Sequence, residues 1–311
     1  MMAKKKLIFM ILVRDSGWWT LGEITKQALA HDGLEVELSW AKREDRLELI
    51  ASGKADFGVN AGYEVAWAYR GVGMYAGQPI KNLRAIASIG HPNWHAVAVT
   101  YETRITAIEQ IKEQQFPLRI YTPHAEFGGR IGSGGFITDR IFEAYGFSLK
   151  DIERWGGKIV TGEGGGNRAL RERNVDAMVY RAYAGFGPGG HRWQEATMFN
   201  NLRFLPIASN VLSELSEKYG LLRGLMPRLL MRGVEEDIPT LYFPHFVIYS
   251  SIHLDDELAF ATAKSLDEHN QYFAERYIPF LYNPFRVCQD TGAPLHPGAE
   301  RYYRSRGYLT T

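Results

Sequence analysis

Cysteine is nearly absent: Cys288 stands alone, so an internal disulfide and a cysteine-rich zinc site are both excluded. Because many exported proteins also lack disulfides, the redox compartment stays open. An excess charge of one sign is missing too. Lys plus Arg number 36 against 35 Asp plus Glu, a net charge of +1, with no block of like charge. That balance argues against nucleic acid as a partner and against an electrostatic tail. No apolar run is long enough to cross a bilayer, and neither a low-complexity linker nor a solenoid-period repeat interrupts the chain. Several motifs of common chemistry are lacking: the phosphate-binding Gly-x-x-x-x-Gly-Lys-Ser/Thr, His-Glu-x-x-His, and the Gly-x-Ser-x-Gly elbow.

What is present is ordinary globular composition in 311 residues, with 45% apolar and 23% charged. That is enough for two domains with substantial cores. Glycine is plentiful at 32 residues, mostly in loops after apolar runs, where small ligands tend to bind. Short apolar runs alternate with amphipathic stretches, the pattern of a wound α/β fold. Strands are expected at 7–13, 34–40, 55–60, 83–89, 94–100, 118–122, 159–160, 175–180, 204–207 and 246–250. Helices are expected at 20–30, 46–51, 63–69, 105–115, 136–145, 168–173, 255–276 and 297–306. In the first helix Leu21, Ile24, Ala28 and Leu29 share one face. Two α/β lobes without a Pro- or Ser-rich connector imply that the chain crosses between them more than once.

Lys4, Lys5 and Lys6 ahead of the apolar run 7–13 imitate a signal peptide. The run is at the short end for such a core, and Arg14-Asp15 closes it without a small-x-small cleavage site. We read it as the first strand, so no export signal is expected in the sequence.

In open α/β sheets ligands bind beyond the carboxyl ends of strands, where helix N-termini present free amide groups to anions. Residues at such positions are Ser16, Gly17, Trp18 and Trp19 after the first strand, and Asn60 and Tyr63 after the third. Others are His95, Tyr121 near the end of its strand, Ser133, Gly134 and Gly135 opening a helix, and Tyr180-Arg181 closing a strand. Arg181 would offer a bidentate fork to an acid, with Trp18, Trp19 and Tyr63 walling its apolar part. The plainer alternative gives the tryptophan pair to packing and Arg181 to a solvated ion pair; composition and position alone leave the two readings even. The glycine-rich stretches 128–135 and 162–166 lack dinucleotide-fingerprint order and read as anion-friendly loops. His91 and His95 straddle Pro92-Asn93, which reads as a turn, and suit structural imidazoles better than a metal site. No metal or other cofactor is expected.

A longer pattern links these pieces. The stretch from Glu48 through Ala51-Ser52-Gly53-Lys54-Ala55-Asp56-Phe57-Gly58 to Asn60, on through Tyr63 to Gly71, resembles the TAXI family of solute-binding proteins. These are the extracytoplasmic receptors of tripartite ATP-independent periplasmic (TRAP) transporters. Leu83–Ser88, Gly132-Ser133-Gly134, Val175-Asp176-Ala177, Asp237–Thr240 and the closing Leu295-His296-Pro297-Gly298-Ala299-Glu300-Arg301-Tyr302-Tyr303 extend the resemblance in order over nearly the whole chain. It implies a type II periplasmic-binding-protein fold: two α/β lobes around a ligand cleft with two crossovers. Lobe one would hold 1–97 and 207–311 and lobe two 98–206, the second crossover falling anywhere up to about residue 246. It further implies a monomeric, non-enzymatic receptor for an amino acid or other carboxylate, with an aromatic body compatible with the walls, and membrane permease subunits as partners. Location would then be periplasmic. The alternative is a cytoplasmic enzyme or sensor on the same fold, with His95, His124 and Glu163 as its acid–base candidates.

Overall fold

The structure, a computed structural model, describes residues 6–11, 16–40, 45–162, 165–184, 191–276 and 281–309. The chain divides into two compact units, one of residues 1–91 and 244–311, the other of residues 92–243.

The first unit opens with β1 (Leu7–Ile11), α1 (Gly17–His31), β2 (Val36–Trp40), α2 (Arg46–Ala51), β3 (Phe57–Ala61) and α3 (Gly62–Arg70). Strand β1 is central and parallel to both β2 and β3, which is why its sequence is continuously apolar and nearly all buried. Leu21, Ile24, Ala28 and Leu29 of α1 are fully buried, as their spacing predicts. Strand β4 (Leu83–Thr100) then carries the chain into the second unit.

The second unit continues with α4 (Glu109–Glu113), β5 (Arg119–Thr122), a hairpin of β6 (Glu126–Phe127) and β7 (Arg130–Ile131), α5 (Ser133–Ala144), α6 (Leu149–Arg154) and β8 (Lys158–Thr161). Next come α7 (Gly166–Arg171), β9 (Ala177–Tyr183), α8 (His191–Phe199), β10 (Leu202–Phe204), α9 (Ser209–Tyr219) and β11 (Leu222–Met226). Strand β9 lies between β4, antiparallel, and β5, parallel, with β8 parallel beyond β5. Strand β12 (Ile238–Ser251) makes the return crossing: its start pairs with β11, and Phe246–Tyr249 run antiparallel to β3. Helices α10 (Asp256–Glu268), α11 (Gln271–Ala274) and α12 (Pro297–Ser305) complete the first unit. The topology is mixed α/β, with the chain passing between its units twice.

Several expected elements differ, the strand anticipated at 204–207 among them, which lies at Leu202–Phe204. The strands anticipated at 83–89 and 94–100 are one, β4, running straight through Pro92. The proline does no harm because β4 changes partners there: Gly90 exchanges backbone hydrogen bonds with Leu281, whereas Asn93 onward pairs with β9. The single helix anticipated at 255–276 is broken after Glu268, where the Asn270 side chain donates to the Asp267 carbonyl (2.7 Å) and draws the backbone out of the helix. Helices α6, α8 and α9 were not anticipated. Among the described residues no helix is long and apolar enough to cross a membrane.

Candidate functional site

In the first unit Ser16 is the N-cap of α1, its Oγ accepting from the Trp19 amide (3.2 Å), and Gly17 is the first helical residue. The tryptophans have different surroundings. Trp18 packs against Phe246, ring centroids 6.0 Å apart, and its indole N–H is buried with no hydrogen-bond partner among the described residues. Trp19 instead lines a groove of about 570 Å³ with Lys6, Glu23 and Lys26 along β2.

Asn60 and Tyr63 converge on one buried carboxylate, Glu64. Asn60 Nδ2 donates to it at 2.6 Å, the Tyr63 hydroxyl at 3.2 Å and the Ala61 amide at 3.3 Å. Tyr249 donates to Asn60 Oδ1 (2.9 Å), which fixes the orientation of the amide. A second buried carboxylate, Asp45, caps α2 and accepts from the Leu47 amide (2.9 Å) and the Tyr75 hydroxyl (2.7 Å). Burial, reinforced by Asp45, raises the Tyr75 pKa far above its ordinary value; burial likewise raises that of Tyr249. Both phenols therefore stay neutral donors.

In the second unit strand pleating sorts the expected residues onto two faces. Tyr121 and Tyr180 join Trp94, Met178 and Trp193 in a core cluster on one side. Tyr121 holds the glycine-rich stretch, its hydroxyl donating to the Gly162 carbonyl and accepting from the Gly165 amide (3.2 Å). Tyr180 accepts from Arg192, whose guanidinium also lies over its ring. His95 and Arg181, direct partners across β4 and β9, share the opposite side.

On that side His95 Nε2 lies 3.3 Å from Thr138 Oγ1, and Thr138 donates to the Gly134 carbonyl (2.9 Å). His95 is thereby tied to the first turn of α5, where Ser133, Gly134 and Gly135 stand. Gly135 is required by close approach: a Cβ there would meet Ile131 at 2.8 Å and the Pro123 carbonyl at 3.0 Å. Burial pushes the His95 pKa down to about 3, so the ring is neutral, and its Nδ1 has no partner among the described residues.

Arg181 is buried, not solvated as the plainer alternative had it. Its Nη1 donates to Asn93 Oδ1 (3.1 Å) and its guanidinium lies 4.2 Å from the centre of the Phe243 ring, while Asn93 Nδ2 donates to the Phe243 carbonyl (3.0 Å). Burial lowers its pKa to about 10, and it remains a cation at neutral pH. The Trp193 indole holds the Arg181 carbonyl (3.0 Å). Asn93, Phe243 and Thr138 are constituents that the sequence reading missed; the only signal was a polar asparagine inside an apolar strand. His124 Nε2 faces Asp139 Oδ1 at 3.0 Å, and Glu163 lies outside the described residues. Among the described residues no three His, Cys, Asp or Glu side chains converge as a metal would need.

A family model described as "NMT1-like family" matches residues 18–307. The chain belongs to the NMT1-like family. Among solved structures, this NMT1-like chain is similar to a TctC solute binding protein from Polaromonas (11% identity, covering 98% of each chain, TM-score 0.48). It is also similar to the alkanesulfonate-binding protein SsuA from Xanthomonas axonopodis pv. citri bound to MOPS (14% identity, 96% of this chain and 83% of that one, TM-score 0.45). A third likeness is Peb3 from Campylobacter jejuni (12% identity, 89% of this chain and all of that one, 100%, TM-score 0.44).

Proposed function

We propose that this chain is a solute receptor for a small organic acid, of the TAXI type that serves TRAP transporters, and that it performs no chemistry on the solute. The supporting observation is Arg181: a buried guanidinium on the same sheet face as His95 and the start of α5. Its stack on Phe243 and its bond to Asn93 hold the fork in place, so little rotamer freedom is lost when an acid docks. Ser133–Gly135 in unit two, and Ser16–Trp19, Asn60 and Tyr63 in unit one, are the remaining binding residues of this reading. A periplasmic location, a monomeric state and permease subunits as partners belong to the same proposal.

Thermal melting against L-glutamate, succinate, phenylacetate and propanesulfonate tests it. At one hundred times its dissociation constant a probe adds about 2.7 kcal/mol of stability, or roughly 5 °C in melting temperature for a chain of this size. Stabilisation by neutral sugars or cationic solutes alone would contradict the acid.

The second reading, an enzyme on the same fold, draws on the His124–Asp139 pair, a base with an orienting carboxylate. Conversion of a bound acid, abolished in His124→Gln, would favour it.

A further inference from the structure

Arg46 was not among the anticipated binding residues. It is the first residue of α2, in the first unit, and it is only 7% exposed. Its Nε is buried and has no hydrogen-bond partner among the described residues. Arginine, unlike lysine, keeps its charge on burial, so the group must find acceptors or remain a destabilising uncompensated charge.

Neither Asp45 nor Glu64 hydrogen-bonds Arg46; both accept from other donors. Asp45 accepts from the Leu47 and Glu48 amides and from Tyr75, and Glu64 accepts from Asn60, the Ala61 amide and Tyr63. Arg46 and the two carboxylates all lie close enough to the Tyr249 phenol to act on it electrostatically, Arg46 lowering its pKa and Asp45 and Glu64 raising it. Among the described residues, then, the buried Arg46 Nε keeps a donor that neither hydrogen-bonded carboxylate takes up.

We propose that Arg46 is an anion-binding residue of the first unit that takes a carboxylate of the solute on its guanidinium fork. This rests on the receptor reading above and adds to it a second recognition residue, one outside the helix starts. A planar carboxylate matches the fork in two parallel hydrogen bonds, whereas a sulfonate offers the same charge in a tetrahedral array.

The test uses the full chain as wild type, Arg46→Lys and Arg46→Met, with calorimetric titration of L-glutamate, succinate, phenylacetate and propanesulfonate and melting without added solute. Truncating a charged hydrogen bond of this kind lowers affinity by about 10- to 100-fold, so Arg46→Met should lose at least about 10-fold for the carboxylate that binds wild type most tightly. Arg46→Lys, a point charge in place of a fork, should also lose affinity. Without solute, Arg46→Met should melt at or above the wild-type temperature, since a buried charge without acceptors has been removed. Wild-type affinity in Arg46→Met overturns the inference and leaves the receptor reading intact. Should Arg46→Met fail to fold, Arg46→Lys decides: an affinity equal to wild type overturns the inference. Tightest binding of propanesulfonate contradicts the carboxylate. Failure of every probe to bind wild type sinks the receptor reading and this inference together.

Discussion

At the residue scale, the histidines of β4 make a pH-dependent contribution whose sign follows from burial. Desolvation holds His91 and His95 at about 3 in the folded state against 6.5 for a free imidazole. The unfolded chain therefore binds protons that the folded chain does not. The stability each provides is complete above pH 6.5 and is lost as the pH falls toward 3, at about 2–3 kcal/mol per residue by pH 4.5. Denaturant titrations of wild type and His95→Asn between pH 7 and about 4.5 should show a steeper acid decline in wild type, by roughly one proton. Identical slopes would mean that His95 is not buried neutral. At this scale little of the site was legible beforehand. Arg181 was singled out at the close of its strand, whereas His95 read as a structural imidazole. That Tyr121 and Tyr180 face away from them depends on the register of β9 against β4 and β5, a long-range pairing with no local signal.

At the element scale, the closing phrase that resembles TAXI receptors is a structural clamp. His296 caps α12, accepts from the Gly298 amide (3.3 Å) and bonds the Leu254 carbonyl (3.0 Å). Tyr303 donates to the Ile86 carbonyl (2.9 Å), and Tyr302, Tyr282 and Tyr308 all converge on the buried carboxylate of Asp267. Gly298 lets α12 lie against α10, since a Cβ there would sit 2.0 Å from the Asp256 carbonyl oxygen. Backbone cannot yield as a side-chain tip does, so Gly298→Ala should lower stability by about 2–4 kcal/mol, with α12 the first element to become protease-sensitive. An unchanged melting temperature would show that the two helices can separate without penalty. Elements with local signals were read well: β1 by its continuous apolar run, the buried face of α1 by its period, α12 by Pro297 at its start. The misreadings at β4 and α10 both concern residues that break regular structure. Proline and asparagine are breakers only where their missing or competing hydrogen bond matters: at Pro92 that is decided by strand partners distant in sequence, at Asn270 by its side chain's bond to the Asp267 carbonyl in the preceding turn.

At the scale of the whole molecule, the alternation of strands and helices announced an α/β chain, and the lack of a Pro- or Ser-rich connector implied more than one crossing between its lobes. Strands β4 and β12 make those crossings. Membership of the NMT1-like family covers nearly the whole chain, so the two units belong to one family match and are not a fusion of unrelated parts. The proposed solute was less legible, because the proposal rests on a few side chains, Arg181 above all, whose burial depends on the fold. The receptor account is tested most directly by calorimetric titration of the wild-type chain with the organic acid that stabilises it best, followed by release of the bound molecule and its mass analysis. The account predicts saturable binding of one molecule per chain, recovered chemically unchanged, with affinity reduced about 10-fold or more in Arg181→Met. Recovery of a converted product, or affinity in Arg181→Met equal to that of wild type, would contradict it.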